Sequence, residues 1–364
     1  MPTRYKYLSA ELSGTIIAPN DLPGTRDRSF EFGRFRYVEF RSLRRSTAFG
    51  ALRDIREYIR IARTPIDSGE NYNLIVATGL FKTAVAGLIL KRLLSRPLII
   101  ELPIVLRKIV EFRSPRWRAL RRIPAFLYEG AAAAVLSGAD HIKQIFPGQV
   151  ALVSHRLSRK QCSAFPDFTP VHAVEPSQKE EYLLLIGTPL HLKGADVAIR
   201  AFKRLLPEFA AERLLIVGSA VGFKDLALLI SPGDPIELID YLPHREAIEH
   251  IRSAKIVLIP SRTDAMPRVA VEAMAAGKAI VASRVDGMAV YLEHGKTALL
   301  CAPENPEDLA DRIRELLLSP ELRARLGSSA REMACREFSE QPYVGHYLEM
   351  VRRCAPADRR TGLR

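Results

Sequence analysis

From about residue 70 onward, short apolar runs alternate with stretches whose apolar residues recur three and four apart. The runs NLIVATG (73–79), PLIIELP (97–103), YLLLIG (182–187), RLLIVGS (213–219), PIELIDYL (235–242), KIVLIPS (255–261) and KAIVAS (278–283) predict strands buried on both faces. Between them, spacings such as Val197, Ile199, Ala201, Phe202, Leu205 and Leu206 predict helices with one apolar face. This alternation predicts an α/β fold of parallel sheets wrapped by helices. Residues 155–181 contain three prolines and follow neither period, so a domain boundary is expected there, with one domain over 1–165 and a second from 166. Ligands of open α/β sheets bind beyond the carboxyl ends of the strands, which directs attention to the loops after Ile186, Val217, Ile239, Ile259 and Ala282.

Two of those loops carry candidate chemistry. In LLLIGTPLHLKGADVAIRAF (183–202) a buried strand ends at Gly187, and Lys193 and Gly194 open a helix. A glycine that allows close approach, free amides at a helix start and a full positive charge together suit a phosphate. A plain turn with a solvated lysine accounts for this segment equally well when it is taken alone. In IVLIPSRTDAMPRVAVEAMAAGKAIVASRVDG (256–287) a strand is followed by Asp264, by Pro267 at a favoured first helical position, and by a short helix that contains Glu272 and stops at Gly277. Carboxylates at Asp264 and Glu272 would accept hydrogen bonds from sugar or ribose hydroxyls, although an acid near a helix start is more often a cap.

In combination, these elements resemble the carboxyl-terminal half of glycosyltransferase family 4, which has the GT-B fold of two Rossmann-like domains with parallel sheets facing across a cleft. The resemblance runs in family order through Gly187, Lys193 and Gly194, DYLPHREAIEHIRSAKIVLIPS, the Asp264-to-Glu272 element and GKTALLCAPENPEDLADRIRELLLSPELRARLG. It extends more faintly to NYNLIVATGLFKTAVAGLILKRLLSRPLIIELP and GADHIKQIFPGQVALVSH, similar to bacterial polysaccharide-building members. It implies an acceptor-binding domain over 1–165, a nucleotide-sugar-binding domain over 166–336, and a last helix over 337–364 that returns to the first domain. The implied reaction is retaining transfer of a sugar from a nucleotide-sugar donor to a hydroxyl of a saccharide acceptor, with no metal required. By position, Lys193 would stabilise the departing diphosphate, Glu272 would bind the ribose hydroxyls, and Asp264 would touch the donor sugar. The backbone of Met266, Pro267, Arg268 and Val269 would approach the donor, and residues beside Tyr241 would flank the base.

The chain departs from the family pattern in three places. Thr188 stands where many members have arginine, so a positive charge on the diphosphate would have to come from Arg262, Arg268 or Arg284. Asp264 replaces the usual glutamate and is one methylene shorter. YKYLSAELSGTIIAP resembles the helix and second strand of the first domain without the strand and glycine-rich loop before them. None of the eight histidines falls at the first-domain strand end where the family often has one, and Glu101 is the nearest residue; it would orient the acceptor hydroxyl, although a strand-end Glu is more often exposed or salt-bridged.

Composition narrows the classes. With 364 residues, 48% hydrophobic and 26% charged, the chain is globular and sized for two domains. Four dispersed cysteines without a metal-ligand spacing argue against a zinc site or a disulfide framework, and fit a reducing cytoplasm. No apolar run reaches the roughly 18 residues of a membrane span, and MPTRYKYLSAELSG has no signal core. The net charge of +13 is concentrated in residues 34–63, with nine arginines against three acids, and 104–123, with seven basic residues, one acid and the only tryptophan. Val105, Ile109 and Phe112 would give the second stretch an apolar face suited to an anionic membrane surface, although packing on its own domain is the simpler use. Because bacterial acceptors of this class are often lipid-linked, a peripheral position on the inner face of the plasma membrane is expected. No nucleic-acid-binding motif is present, so nucleic acid is not expected as a partner. The competing reading is a catalytically impaired GT-B protein that binds a nucleotide sugar or a partner transferase; a phosphorylase or epimerase ranks lower.

Overall fold

The computed structural model describes residues 4–20, 28–42, 48–67, 72–102, 125–153, 157 and 161–355. They fall into two compact units, Met1–Phe165 with Tyr343–Arg364, and Pro166–Pro342.

The first unit opens with α1 (Arg4–Leu8), followed by β1 (Gly14–Asn20), β2 (Arg28–Phe32) and β3 (Phe35–Arg41). These three strands form a sheet of order β1-β3-β2, with β1 parallel and β2 antiparallel to β3. Gly33 turns the hairpin at a φ of +60°, a conformation glycine adopts without a Cβ penalty. Phe35 and Tyr37 alternate with exposed Arg34 and Arg36, the two-residue period of a strand with one covered face. Then come α2 (Ala48–Asp67), β4 (Ile75–Thr78), α3 (Lys82–Leu94), β5 (Leu98–Glu101), α4 (Ala125–Ser137), β6 (His141–Gln144) and β7 (Cys162–Ala164). Strands β4 to β7 form a parallel sheet in chain order.

The second unit contains β8 (Tyr182–Ile186), α5 (Ala195–Leu205), β9 (Leu214–Val217), α6 (Phe223–Ala227), β10 (Ile236–Ile239), α7 (His244–Ser253), β11 (Ala254–Ile259), α8 (Arg268–Ala275), β12 (Ala279–Ser283), α9 (Met288–Tyr291), β13 (Leu299–Cys301), α10 (Pro306–Leu318) and α11 (Pro320–Glu337). All its strands are parallel, in the order β10-β9-β8-β11-β12-β13. Alternate residues feed two cores: Leu184, Val257 and Ile280 pack with α8, while Leu183, Leu185, Leu258 and Val281 pack with Val197, Ile199 and Phe202 of α5. Each such fully buried side chain contributes about 1.5–3 kcal/mol of transfer free energy. The last helix, α12 (Glu340–Cys354), lies in the first unit from Tyr343 onward.

The expectation of strands buried on both faces fails at β4 and β10. Val76 is 39% exposed, and β10 is only partly buried. Among the described residues both strands are sheet edges, which have a neighbour on one side only. The strand order of the second unit also locates a site. The chain starts at β8 in the middle of the sheet, builds outward to β10, then returns to β11 on the other side of β8. The topological switch point, where ligand crevices open in such sheets, lies between β8 and β11.

Candidate donor site above the switch point

The loops leaving β8 and β11 bring Lys193 and Asp264 together. Lys193 Nζ donates to Asp264 Oδ2 at 2.5 Å, and Ser261 Oγ donates to the same oxygen at 3.3 Å. Lys193 retains 20% and Asp264 14% side-chain exposure, so the pair is partly desolvated and its attraction exceeds that of a surface pair.

Two glycines explain why the first loop has this spacing. A Cβ on Gly187, whose φ is +155°, would come within 2.8 Å of Lys193 Cγ. The lysine stem therefore lies across a residue that must lack a side chain. Gly194, at φ +71°, abuts the end of β11: a Cβ there would sit 2.0 Å from the carbonyl oxygen of Pro260. Arg262 N donates to Leu192 O at 2.9 Å, tying the same two loops again.

Arg262 is the hub of this arrangement and is 8% exposed. It binds both oxygens of Asp196 at 2.8 Å, Glu304 Oε1 at 2.8 Å and His191 O at 2.5 Å. Burial alone would raise the Asp196 carboxyl, but the hydrogen bonds and charge of Arg262 outweigh it and hold that carboxyl below its ordinary value. Arg262 thus clamps the Lys193 loop, the start of α5 and the loop before α10. Of the three arginines considered as replacements for the arginine missing at Thr188, this one is committed to protein carboxylates. Thr188 itself is exposed, as is Arg284 beyond β12. On the other side Asp286 Oδ2 accepts from Thr263 Oγ1 at 2.6 Å and from Asp264 N at 3.1 Å, fixing the Asp264 loop.

The helix after Asp264 begins at Pro267, its N-cap, which makes no side-chain cap hydrogen bond. Met266 and Val269 pack partly buried against the core, leaving their backbone at the helix start. Glu272, one turn further, is 5% exposed. His244 Nε2 lies 2.8 Å from its Oε1, and Arg268 Nε lies 3.6 Å from the same atom. Burial raises the Glu272 carboxyl above its ordinary value, while His244 and Arg268 oppose that rise. Asp240 Oδ1 accepts from the amides of Ala220 at 3.0 Å and Tyr241 at 2.7 Å, leaving the Tyr241 ring 78% exposed.

In the first unit, Glu101 ends β5 and is 2% exposed rather than open at a strand end. Arg4 Nη1 and Thr78 Oγ1 donate to its Oε2 at 2.8 and 2.6 Å. Burial by itself would raise its carboxyl; the charges of Arg4 and Lys143 and the bond from Thr78 prevail and lower it. Lys143, its register partner on β6, is itself buried, with Nζ 4.9 Å from the Phe165 ring centroid and 5.8 Å from that of Tyr343. Of the basic stretches, 104–123 lies outside the described residues. In the other, Arg34 in the turn before β3, Arg36 of β3 and Arg56, Arg60 and Arg63 of α2 are exposed, with Arg60 paired to Glu57 at 2.8 Å.

Sequence reasoning missed His244, Asp286 and the clamp formed by Arg262 and Asp196. Nothing in a one-dimensional spacing pairs His244 with Glu272 across 28 residues. Among the described residues no helix is long and apolar enough to cross a membrane, and no cluster of His, Cys, Asp or Glu is arranged to hold a metal ion.

Residues 168–333 match the family model of glycosyl transferases group 1. The chain is 33% identical over 188 residues to a D-inositol 3-phosphate glycosyltransferase of Corynebacterium efficiens, covering 46% of this chain and 43% of that protein. It is 27% identical over 172 residues to an N-acetyl-alpha-D-glucosaminyl L-malate synthase of Bacillus anthracis, covering 47% and 45%. The matched region thus spans less than half the length of these curated relatives. Among solved structures, sucrose-phosphate synthase from Thermosynechococcus elongatus superposes with a TM-score of 0.78 at 18% identity, over 93% of this chain and 88% of that one. Anabaena Alr3699/HepE, solved with UDP and glucose, superposes with a TM-score of 0.70 at 18% identity, over 88% and 86%. The chain accordingly has the GT-B fold, and over residues 168–333 it is similar to the glycosyl transferases of group 1.

Proposed function

We propose that this chain transfers a glycosyl group from a nucleotide-sugar donor to a hydroxyl of a saccharide acceptor, with retention of anomeric configuration. The observation that carries the reading is the Lys193–Asp264 pair above the switch point of the second sheet. As the bond between the anomeric carbon and the diphosphate breaks, negative charge grows on the leaving oxygen. A fixed ammonium at Lys193 stabilises that charge more in the transition state than in the ground state, and so lowers the barrier. Asp264 holds the ammonium in place and presents its second oxygen toward the donor sugar. The amides at the start of α8 add partial positive charge. Glu272 takes the ribose hydroxyls, and the exposed ring of Tyr241 borders the base. With lysine and helix amides meeting the diphosphate, the reaction runs without a metal cofactor.

The acceptor in this reading is a lipid-linked saccharide of envelope, capsule or exopolysaccharide assembly. The exposed arginines of the β2–β3 hairpin and α2 support attachment to an anionic membrane surface on the inner face of a bacterial plasma membrane. The decisive experiment incubates purified protein with a panel of nucleotide sugars and bacterial membrane extract, with and without chelator. Release of nucleoside diphosphate that is insensitive to chelator and lost in Lys193→Ala is expected. No release from any donor, or full activity in Lys193→Ala, refutes the assignment.

A further inference from the structure

Glu272 is a buried carboxylate with an asymmetric environment. His244 Nε2, at 2.8 Å, and Arg268 Nε, at 3.6 Å, both approach Oε1, and no hydrogen bond to Oε2 is formed among the described residues. The two groups come from different elements: Arg268 opens the helix that carries Glu272, whereas His244 opens α7. The His244 side chain is 56% exposed and Glu272 only 6%. An imidazole this exposed gains little from packing, and an exposed partner adds little to stability. Its contact with Glu272 therefore acts chiefly on the carboxylate. An ionised carboxylate only accepts hydrogen bonds, so Nε2 must carry the proton and donate.

We propose that His244 is a positioning residue that engages Oε1 of Glu272 and thereby reserves Oε2 for a hydroxyl of the ribose in the nucleotide donor, making the site selective for ribo- over deoxyribonucleotides. This rests on the donor reading above and assigns the residue that orients its ribose contact. Without His244 the carboxylate is free to rotate, so either oxygen faces Arg268 and the contact to the sugar loses its fixed direction. A site built to hydrogen-bond a hydroxyl rejects an analogue lacking it, because a buried acceptor is then left unpaired. Loss of the orienting donor weakens that rejection. The titratable and charged groups facing Glu272 are His244 from α7 and Arg268 from its own helix. Removing His244 takes away a bond to the ionised form, so the Glu272 carboxyl, already raised by burial, rises further.

The test measures calorimetric affinity of the full chain for uridine, guanosine and adenosine diphosphates and their 2′-deoxy and 3′-deoxy counterparts, across pH 5 to 8. The parent is expected to bind one ribonucleotide at least tenfold more tightly than one of its deoxy analogues. His244→Ala is expected to weaken the ribonucleotide about tenfold, to reduce the deoxy discrimination to under threefold, and to move the acid limb of binding to higher pH. His244→Gln, which keeps an N–H donor, should recover most of the discrimination, while melting temperatures stay close to the parent. Unchanged discrimination and an unmoved acid limb in His244→Ala, with the parent still binding, overturn the role of His244 alone. Absence of binding by the parent overturns the donor reading and this inference with it.

Discussion

Lys193 Nζ and Asp264 Oδ2 meet at 2.5 Å across 71 residues of sequence, each on the loop that leaves one of the two strands flanking the switch point of the second sheet. Their separate removal should have different consequences. Lys193→Ala takes the charge from the leaving group, and the turnover of nucleotide sugar should fall about 100- to 1,000-fold with a smaller change in KM. Asp264→Asn leaves the lysine charged but unheld. Its turnover should fall less, by about tenfold, as measured by nucleoside diphosphate release. Equal losses in both would show that the two residues act only as a pair.

The two glycines of the Lys193 loop should differ in what their replacement costs. Gly194→Ala drives a Cβ to 2.0 Å from the backbone oxygen of Pro260, which no side-chain motion relieves. A loss of about 3 kcal/mol is expected from the clash and the positive φ. Gly187→Ala meets the flexible stem of Lys193 at 2.8 Å instead. It should cost about 1–2 kcal/mol of stability and displace the ammonium, so donor affinity suffers more than folding. Urea unfolding beside nucleotide titration separates the two effects.

Arg262→Met should be among the more destabilising charge removals in the second unit. It leaves Asp196, 24% exposed, without its two-pronged partner, while Glu304, 59% exposed, is resolvated, so a loss of about 1–3 kcal/mol is expected. Arg268→Met, from a side chain 58% exposed, should change the unfolding midpoint little. A midpoint for Arg262→Met equal to that for Arg268→Met would show that the clamp contributes nothing.

Lys278 predicts a pH signature. Its side chain is 3% exposed and donates to Lys179 O at 2.7 Å, and burial brings its amine down from 10.5 to about 8. Between those two values the unfolded chain binds a proton that the folded chain does not, so stability rises with pH across that window. Below about pH 8 both states are protonated and the folded state carries the full cost, on the order of 3 kcal/mol. Lys278→Met should therefore exceed the parent in stability most at pH 7, with the difference shrinking toward pH 10.5. A pH-independent difference in denaturation free energy would rule this out.

The second unit was legible because its strands are continuous apolar runs and its helices have one apolar face, so the two periods separate cleanly. Val197, Ile199, Ala201, Phe202 and Leu205 are all buried on α5 as their spacing predicts. Phe30, Phe35 and Tyr37 carry the two-residue period as plainly, yet the hairpin of β2 and β3 lies among so many arginines that charge obscured it. At the site, sequence order was enough to choose Lys193, Asp264 and Glu272 as candidates, because each follows a recognisable strand or helix start. The partners were not legible. Arg262 reads in the sequence as one of three arginines able to charge the diphosphate until the fold closes Asp196 and Glu304 around it, and His244 becomes meaningful only when α7 brings it to Glu272. Edge position decides the exposure of β4 and β10, and that is a property of the sheet rather than of either run.

The contact of Gly194 with Pro260 and the bond from Arg262 to Leu192 join two loops that the chain writes more than sixty residues apart. For anyone recombining this protein with a homologue, they form a single cassette. A crossover placed between them mixes parental halves of one joint, and only chimaeras that inherit both loops from the same parent should be expected to keep their pocket.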